Sequence, residues 1–204
     1  MPYNPAVHHR RSIRMKGYDY TQPGAYFITI CTHRREWLFG HVRHGEMQLS
    51  PLGRVVAARW QALPRTFHVR LDEWVVMPNH VHGIIWILQG EAASAAGAGA
   101  AAPQTRVGND GRPRGPARGS VGAIVGNLKS VSTRRSNRIR RTPGARLWQR
   151  DYWEHIVRNK WALRRIRAYI RNNPRRWERD RNRRRPKRPS RRSLGLRLCH
   201  VREE

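Results

Sequence analysis

Two histidines one residue apart, His80 and His82, stand in the run Met77-Pro78-Asn79-His80-Val81-His82. On a strand, side chains at i and i+2 point to the same face. The two imidazoles would then lie side by side, which is how a divalent metal is gripped, while Val81 turns into the core. The same spacing also fits two partly exposed histidines bonded to backbone or water. A second group lies in the run WALRRIRAYIRNNP, residues 161–174. As a helix, it puts Ala162, Ile166, Tyr169 and Asn173 on one stripe and Leu163, Ile166 and Ile170 on the adjoining apolar one. The phenol of Tyr169 and the amide of Asn173 sit one turn apart. Read alone, they are a core-edge tyrosine and an asparagine capping the helix before Pro174. Together with the histidines they allow one specific chemistry. A tyrosine can attack a phosphodiester if a metal polarises the phosphate and the pentacovalent charge is stabilised. His80 and His82 need at least one more ligand, and an amide oxygen such as that of Asn173 suits an N/O site for Mn²⁺ or Mg²⁺. The product would be a covalent phosphotyrosine that conserves the bond energy for later strand joining.

Other candidates compete for these roles. Tyr152, in the run RDYWEH, is a rival nucleophile. Alternation puts Tyr152, Glu154 and Ile156 on one face of an extended segment and Trp153, His155 and Val157 on the other, which makes Tyr152 a packing residue beside a sheet. His155 could line the site without being a ligand. Glu73 could face the metal or be a solvated strand residue. His41 and His44 lie in a Gly-flanked turn with no cysteine nearby and read as surface. Cys31 and Cys199 sit in no metal spacing, support no disulfide framework and fit a reducing cytoplasm.

The elements that must position these residues are legible in outline. Residues 25–32 (AYFITICT) form a β-branched and aromatic strand. Residues 33–50 suggest a loop with a short hairpin turning at Gly45. Ser50-Pro51 starts a helix, with Leu52, Val56, Trp60 and Leu63 at helical spacing and Pro64 as its stop. Residues 69–76 and 80–88 are two strands whose tight link at Met77-Pro78-Asn79 demands antiparallel neighbours. Residues 121–140 give a helix with Val121, Ile124, Val125, Leu128 and Val131 on one face. Residues 147–157 form a strand or extended segment, and Asn159 caps a helix running to Asn173. The order strand–helix–strand–strand–helix–strand–helix predicts an α+β fold. Its expected form is a ferredoxin-like, RRM-like antiparallel sheet with helices on one face.

Charge separates the segments further. The 204 residues carry 42 Lys+Arg against 13 Asp+Glu, a formal net charge of +29. A charge of this size repels itself unless a polyanion neutralises it, and nucleic acid is the default partner. Only 4 of the basic residues are Lys, so part of the arginine excess reflects composition bias in a chain also rich in Ala, Gly and Pro. With 38% apolar residues, the chain can still bury a core. No run approaches the roughly 20 apolar residues of a membrane span. The first residues, MPYNPAVHHRR, have no apolar h-region, which argues against secretion. Lys129, Arg134, Arg135, Arg138, Arg140 and Arg141 crowd the end of the 121–140 helix and read as phosphate contacts. Trp148, Trp153 and Trp177 could stack bases, with core packing the competing role.

At this point the chain resembles a known family, the REP-associated tyrosine transposases, relatives of the single-tyrosine HUH transposases of insertion sequences. The segments that carry the resemblance are RRSIRMKGYDYTQPGAYFITICT, LDEWVVMPNHVHGII, LWQRDYWEHIVRN and IRAYIRNNPRRW, in order over about residues 10–178. The resemblance implies His80 and His82 as metal ligands on a central strand, Tyr169 as nucleophile and Asn173 as third ligand. It implies single-stranded DNA bearing palindromic hairpins as substrate, nicked to a 5′-phosphotyrosine with a free 3′-OH and then rejoined. It also implies a monomer rather than a homodimer, acting in the cytoplasm at the nucleoid.

The expected organisation is a basic arm over 1–23, an HUH domain over 24–178 and an Arg-rich tail over 179–204. Residues 89–119, of which 19 of 31 are Ala, Gly or Pro, read as a flexible insertion. Two other functions stay open: a catalytically silent nucleic-acid-binding module of the same fold, and a metal-dependent nuclease whose nucleophile is water.

Overall fold

The run Gly24–Cys31 forms strand β1. The computed structural model, which describes residues 18–89, 105–107 and 113–183, makes it one of two central strands. Strands β2 (Gly40–Arg43) and β3 (Glu46–Leu49) form the expected hairpin. Its turn residues His44 and Gly45 take φ of 49° and 76°, the positive pair that a two-residue hairpin matching the sheet twist requires. Helix α1 (Pro51–Gln61) starts where the Ser50 hydroxyl accepts the Gly53 N–H at 3.1 Å, with Pro51 in the first turn. Strands β4 (Val69–Met77) and β5 (His80–Ile87) are joined by Pro78-Asn79 alone. Strands β6 (Thr105–Val107) and β7 (Pro113–Pro116) make a separate two-stranded sheet. Helix α2 (Val121–Arg140) is capped by Ser120, and helix α3 (Lys160–Asn172), which follows strand β8 (Trp153–Val157), is capped by Asn159.

The main sheet has the order β4-β5-β1-β8, and each neighbouring pair is antiparallel. This is the α+β, ferredoxin-like arrangement that the element order predicts, with α1 and α2 as its two crossover helices. Period-two alternation then divides the sheet into two faces. On one, Tyr26, Ile28, Ile30, Val81 and Ile85 meet Val56 and Trp60 of α1 and Ile124 and Leu128 of α2. On the other, Ala25, Phe27 and Ile84 meet Ile170 of α3, with Leu163 and Ile166 beside it. The third helix therefore covers the face opposite the two crossover helices. His80 and His82 belong to that second face.

Parts of the expected arm, insertion and tail (residues 1–17, 90–104, 108–112 and 184–204) lie outside the described residues. The boundary expected after residue 178 is not a break in packing. Asp180 lies 3.7 Å from His80 at the start of β5, and the Asn182 carbonyl accepts the Asn79 amide at 2.6 Å. Among the described residues no helix is long and apolar enough to cross a membrane.

One glycine fixes how α1 seats on the histidine strand. A Cβ on Gly83 would stand 2.2 Å from the Trp60 ring, a rigid and fully buried group that cannot swing away. Gly83→Ala is expected to destabilise the protein by about 1–3 kcal/mol, the usual cost of overpacking, read as a lower urea midpoint with an unchanged slope.

Candidate active site

Strand β5 begins the site. Its register sets His80 opposite Cys31 and His82 opposite Thr29 of β1. Both imidazoles are almost wholly buried, at 0% and 2% exposure, with ring centroids 4.4 Å apart. The i, i+2 pairing expected from the sequence is therefore realised on one face of the sheet.

The proton on each ring follows from its neighbours. His80 Nδ1 lies 2.8 Å from Asn79 Oδ1. That oxygen can only accept, and its identity is fixed because Asn79 Nδ2 donates to the carbonyls of Asn182 at 2.6 Å and Arg35 at 3.2 Å. His80 therefore carries its proton on Nδ1 and presents a lone pair at Nε2. His82 Nδ1 is held by Thr29 Oγ1 at 2.8 Å, and its Nε2 meets the Tyr169 hydroxyl at 3.1 Å. Burial pushes the His82 pKa down to about 3. Burial, the neighbouring His82 and the charge of Arg35 hold His80 well below its ordinary value. Both rings are neutral at physiological pH.

Three acceptor atoms converge without a donor between them. His80 Nε2, Asn173 Oδ1 and Asp180 Oδ2 are all buried and have no hydrogen-bond partner. Asp180 Oδ2 is 3.7 Å from His80 Nε2, and donor atoms of His80, His82 and Asp180 all lie within 4.8 Å of one another. A lone pair facing a buried carboxylate is repulsive unless a cation sits between them. The residues thus fit a divalent metal, and the outward Nδ1 bonds to Asn79 and Thr29 hold the two rings in the orientation that metal-binding imidazoles need.

Helix α3 brings Tyr169 and Asn173 to this point. Asn173 is 3% exposed and Tyr169 41% exposed, so the amide is buried against His80 while the phenol opens onto solvent. The helix is anchored by Arg167, whose Nε and Nη2 donate to the two oxygens of Asp72 at 2.8 and 2.6 Å. Trp86 Nε1 adds a third bond at 2.8 Å. Burial alone would raise the Asp72 carboxyl, but these bonds bring it down to about 2. A bulge in β4 between Leu71 and Trp74 makes room for Asp72 and Glu73 to meet the helix. Glu73 pairs with Arg171 at 3.3 Å and takes no part in the metal cluster.

A cleft of about 1030 Å³ opens in front of Tyr169, His82, Asn173 and Asp180. Its walls include Trp153, which stacks on His155, and Trp161, which lies under Arg165. Arg35, Arg165, Arg176 and Arg179 supply its positive charge. The six basic residues expected to hold phosphate are placed elsewhere. Lys129 spends its ammonium on the carbonyls of Gln149, Arg150 and Asp151, at 2.9–3.1 Å, so it ties the chain before β8 to α2. None of Arg134, Arg135, Arg138, Arg140 and Arg141 lines the cleft, since α2 packs on the other face of the sheet. Arg141 instead caps α2 in the left-handed conformation.

Tyr152 packs against the core with its ring under Lys129. Trp148 and Trp177 are buried, while Trp153 is 43% exposed. Sequence reasoning missed Asp180 and Arg35. The available signal for Asp180 was its place as one of two carboxylates, with Glu178, in an arginine run just after Trp177.

No family model matches the chain. An uncharacterised protein of Haemophilus influenzae is 40% identical over 182 residues, which span 87% of this chain and 95% of that protein. The solved structure of a REP-associated tyrosine transposase bound to a REP hairpin aligns with a TM-score of 0.53 at 19% identity. The match covers 81% of this chain and 73% of the other, a likeness of fold.

The depressed histidine pKa values carry a stability consequence. Below pH 6.5 the unfolded chain binds protons on His80 and His82 that the metal-free folded protein refuses. Stability is therefore complete above pH 6.5 and falls as pH drops toward about 3 for His82. The expected slope is about 1.4 kcal/mol per pH unit for each histidine. Urea midpoints of metal-free protein between pH 7 and 4 check this, and the slope is expected to flatten in His82→Gln.

Proposed function

We propose that this chain, which belongs to one family with the Haemophilus influenzae protein and has the fold of the REP-associated tyrosine transposase, nicks and rejoins single-stranded DNA through a covalent tyrosine intermediate. The observation that carries this reading is the solvent-open phenol of Tyr169 beside His82 and a cluster of buried acceptors that lacks a donor. His80 Nε2, His82 Nε2, Asn173 Oδ1 and Asp180 Oδ2 would hold the metal. Two imidazoles with two oxygens suit Mn²⁺ or Mg²⁺. Bound there, the metal supplies Lewis-acid polarisation of a phosphoryl oxygen.

The chain's own residues do the rest. Helix α3 presents the Tyr169 oxygen at the cleft, and the edge-on contact with Phe27 limits the swing of the ring. His82 Nε2 holds the phenol in this structure, so the phenol exchanges that bond for the substrate phosphate when the site is loaded. Tyr169 then loses its proton to solvent, its oxygen forms a bond to phosphorus, and the bond from phosphorus to the 3′ oxygen breaks. The 3′ oxygen takes a proton from water and leaves as a hydroxyl. The 5′ end stays on Tyr169, and attack by a 3′-OH reverses the step without an external energy source. The substrate is a single strand carrying a palindromic hairpin, acted on in the cytoplasm by a monomer. The arginines of α2 contact the flanking duplex away from the cleft.

The test is a denaturing gel of protein mixed with a hairpin-bearing single strand and Mn²⁺. Wild type is expected to give a covalent adduct, Tyr169→Phe none with binding retained, and Tyr152→Phe an undiminished one. An adduct in Tyr169→Phe moves the role to another residue. Cleavage without adduct points to water as nucleophile, and binding without cleavage to a silent module. Metal binding is checked separately. Mn²⁺ at 100 times its Kd is expected to stabilise wild type by about 2.7 kcal/mol, and His80→Ala or Asp180→Ala to lose most of that gain in a thermal melt.

A further inference from the structure

Arg35 stands at the cleft in an unusual way. It ends the short turn His33–Arg35 after β1, where Arg34 and Arg35 both take positive φ, 53° and 56°. Two consecutive side chains other than glycine in the left-handed region are strained. The turn persists because its surroundings over-determine it. The Thr32 hydroxyl donates to the Glu36 carbonyl at 2.8 Å, His33 N–H to the Leu147 carbonyl at 2.8 Å, and Asn79 Nδ2 to the Arg35 carbonyl at 3.2 Å.

The strain delivers a half-buried guanidinium into the cleft beside Tyr169, His82 and Asn173. It comes near enough to His80 for its charge to be felt there. Among the described residues it has no carboxylate within ion-pair distance. Arg167 and Arg171 are matched by Asp72 and Glu73, but among the described residues Arg35 has only a hydrogen bond to the neutral amide oxygen of Asn182. A guanidinium partly withdrawn from water, fixed by strain and lacking a carboxylate is built for an anion that arrives from outside.

We propose that Arg35 is a catalytic residue that binds the non-bridging oxygens of the phosphate attacked by Tyr169 and neutralises the charge that grows on them in the transition state. This rests on the phosphoryl-transfer reading of the site above. Asn182 holds the guanidinium in place until the phosphate displaces it. Asn79 links the two electrophilic parts of the site, since its one amide orients both His80 and the Arg35 turn.

The experiment compares adduct formation by wild type and Arg35→Ala on two strands, one with an ordinary scissile phosphate and one with a neutral methylphosphonate there. On the ordinary strand Arg35→Ala is expected to lose about 100-fold or more in single-turnover rate, the scale of removing one oxyanion donor, with oligonucleotide Kd changed by less than about threefold. On the methylphosphonate the deficit is expected to shrink below about tenfold, because little charge remains to be neutralised. Arg35→Lys, a point charge without the planar fork, should recover only part of the rate, and it serves if Arg35→Ala does not fold. Equal deficits on the two strands, or a deficit seen only in Kd, would overturn the assignment while leaving the tyrosine chemistry intact. Absence of any adduct from wild type on the ordinary strand would overturn both.

Discussion

Everything at the site depends on the side chain of Asn79, fully buried in the two-residue link between β4 and β5. Its oxygen fixes the proton of His80, and its nitrogen ties down the carbonyls of Arg35 and Asn182. Its backbone carbonyl takes the N–H of Thr32. A buried amide whose polar atoms are all engaged is rigid, because every alternative rotamer strands a group in low dielectric. That single group therefore sets the tautomer of His80, the path of the chain after β1 and the seat of the segment bearing Asp180.

The sheet divides its labour between faces. One face and two crossover helices build an apolar core around Tyr26, Trp60 and Leu128. The other buries a smaller apolar cluster, in which Ile170 of α3, with Leu163 and Ile166 beside it, meets Phe27 and Ile84, and the part-exposed Asp72–Arg167 pair adds a directional contact. A pair of this exposure contributes orientation more than stability. The consequence is that His80 and His82 sit on a central strand, facing a helix docked by a small apolar cluster and oriented by one bidentate pair.

Much of this was legible in the chain. The period-two spacing of His80 and His82, the caps at Ser50 and Asn159, and the helical spacing of Tyr169 and Asn173 are local signals, and each describes what the structure contains. The tertiary facts were not legible. Lys129 looks like a phosphate contact in sequence and is spent on three carbonyls, because only the fold reveals that α2 runs past residues 149–151. Asp180 looks like part of a solvated basic tail, and only the turn after Trp177 folds it onto His80. Arg35 was one arginine among 38 until its backbone conformation and its place in the cleft set it apart.

The register of β1 against β5 has a consequence for how such a chain tolerates change. Cys31 pairs with His80 at one end of the strands, and Gly24 pairs with Ile87 at the other, roughly 23 Å away at strand spacing. The chain leaves β5 at that far end and resumes α2 there, where the Val121 N–H meets the Tyr20 carbonyl. The segment between Ile87 and Val121 sets how many residues separate the histidines from the tyrosine, and it leaves and rejoins the sheet at the end away from them. His82 and Tyr169 stand 87 positions apart along the chain and 3.1 Å apart in space.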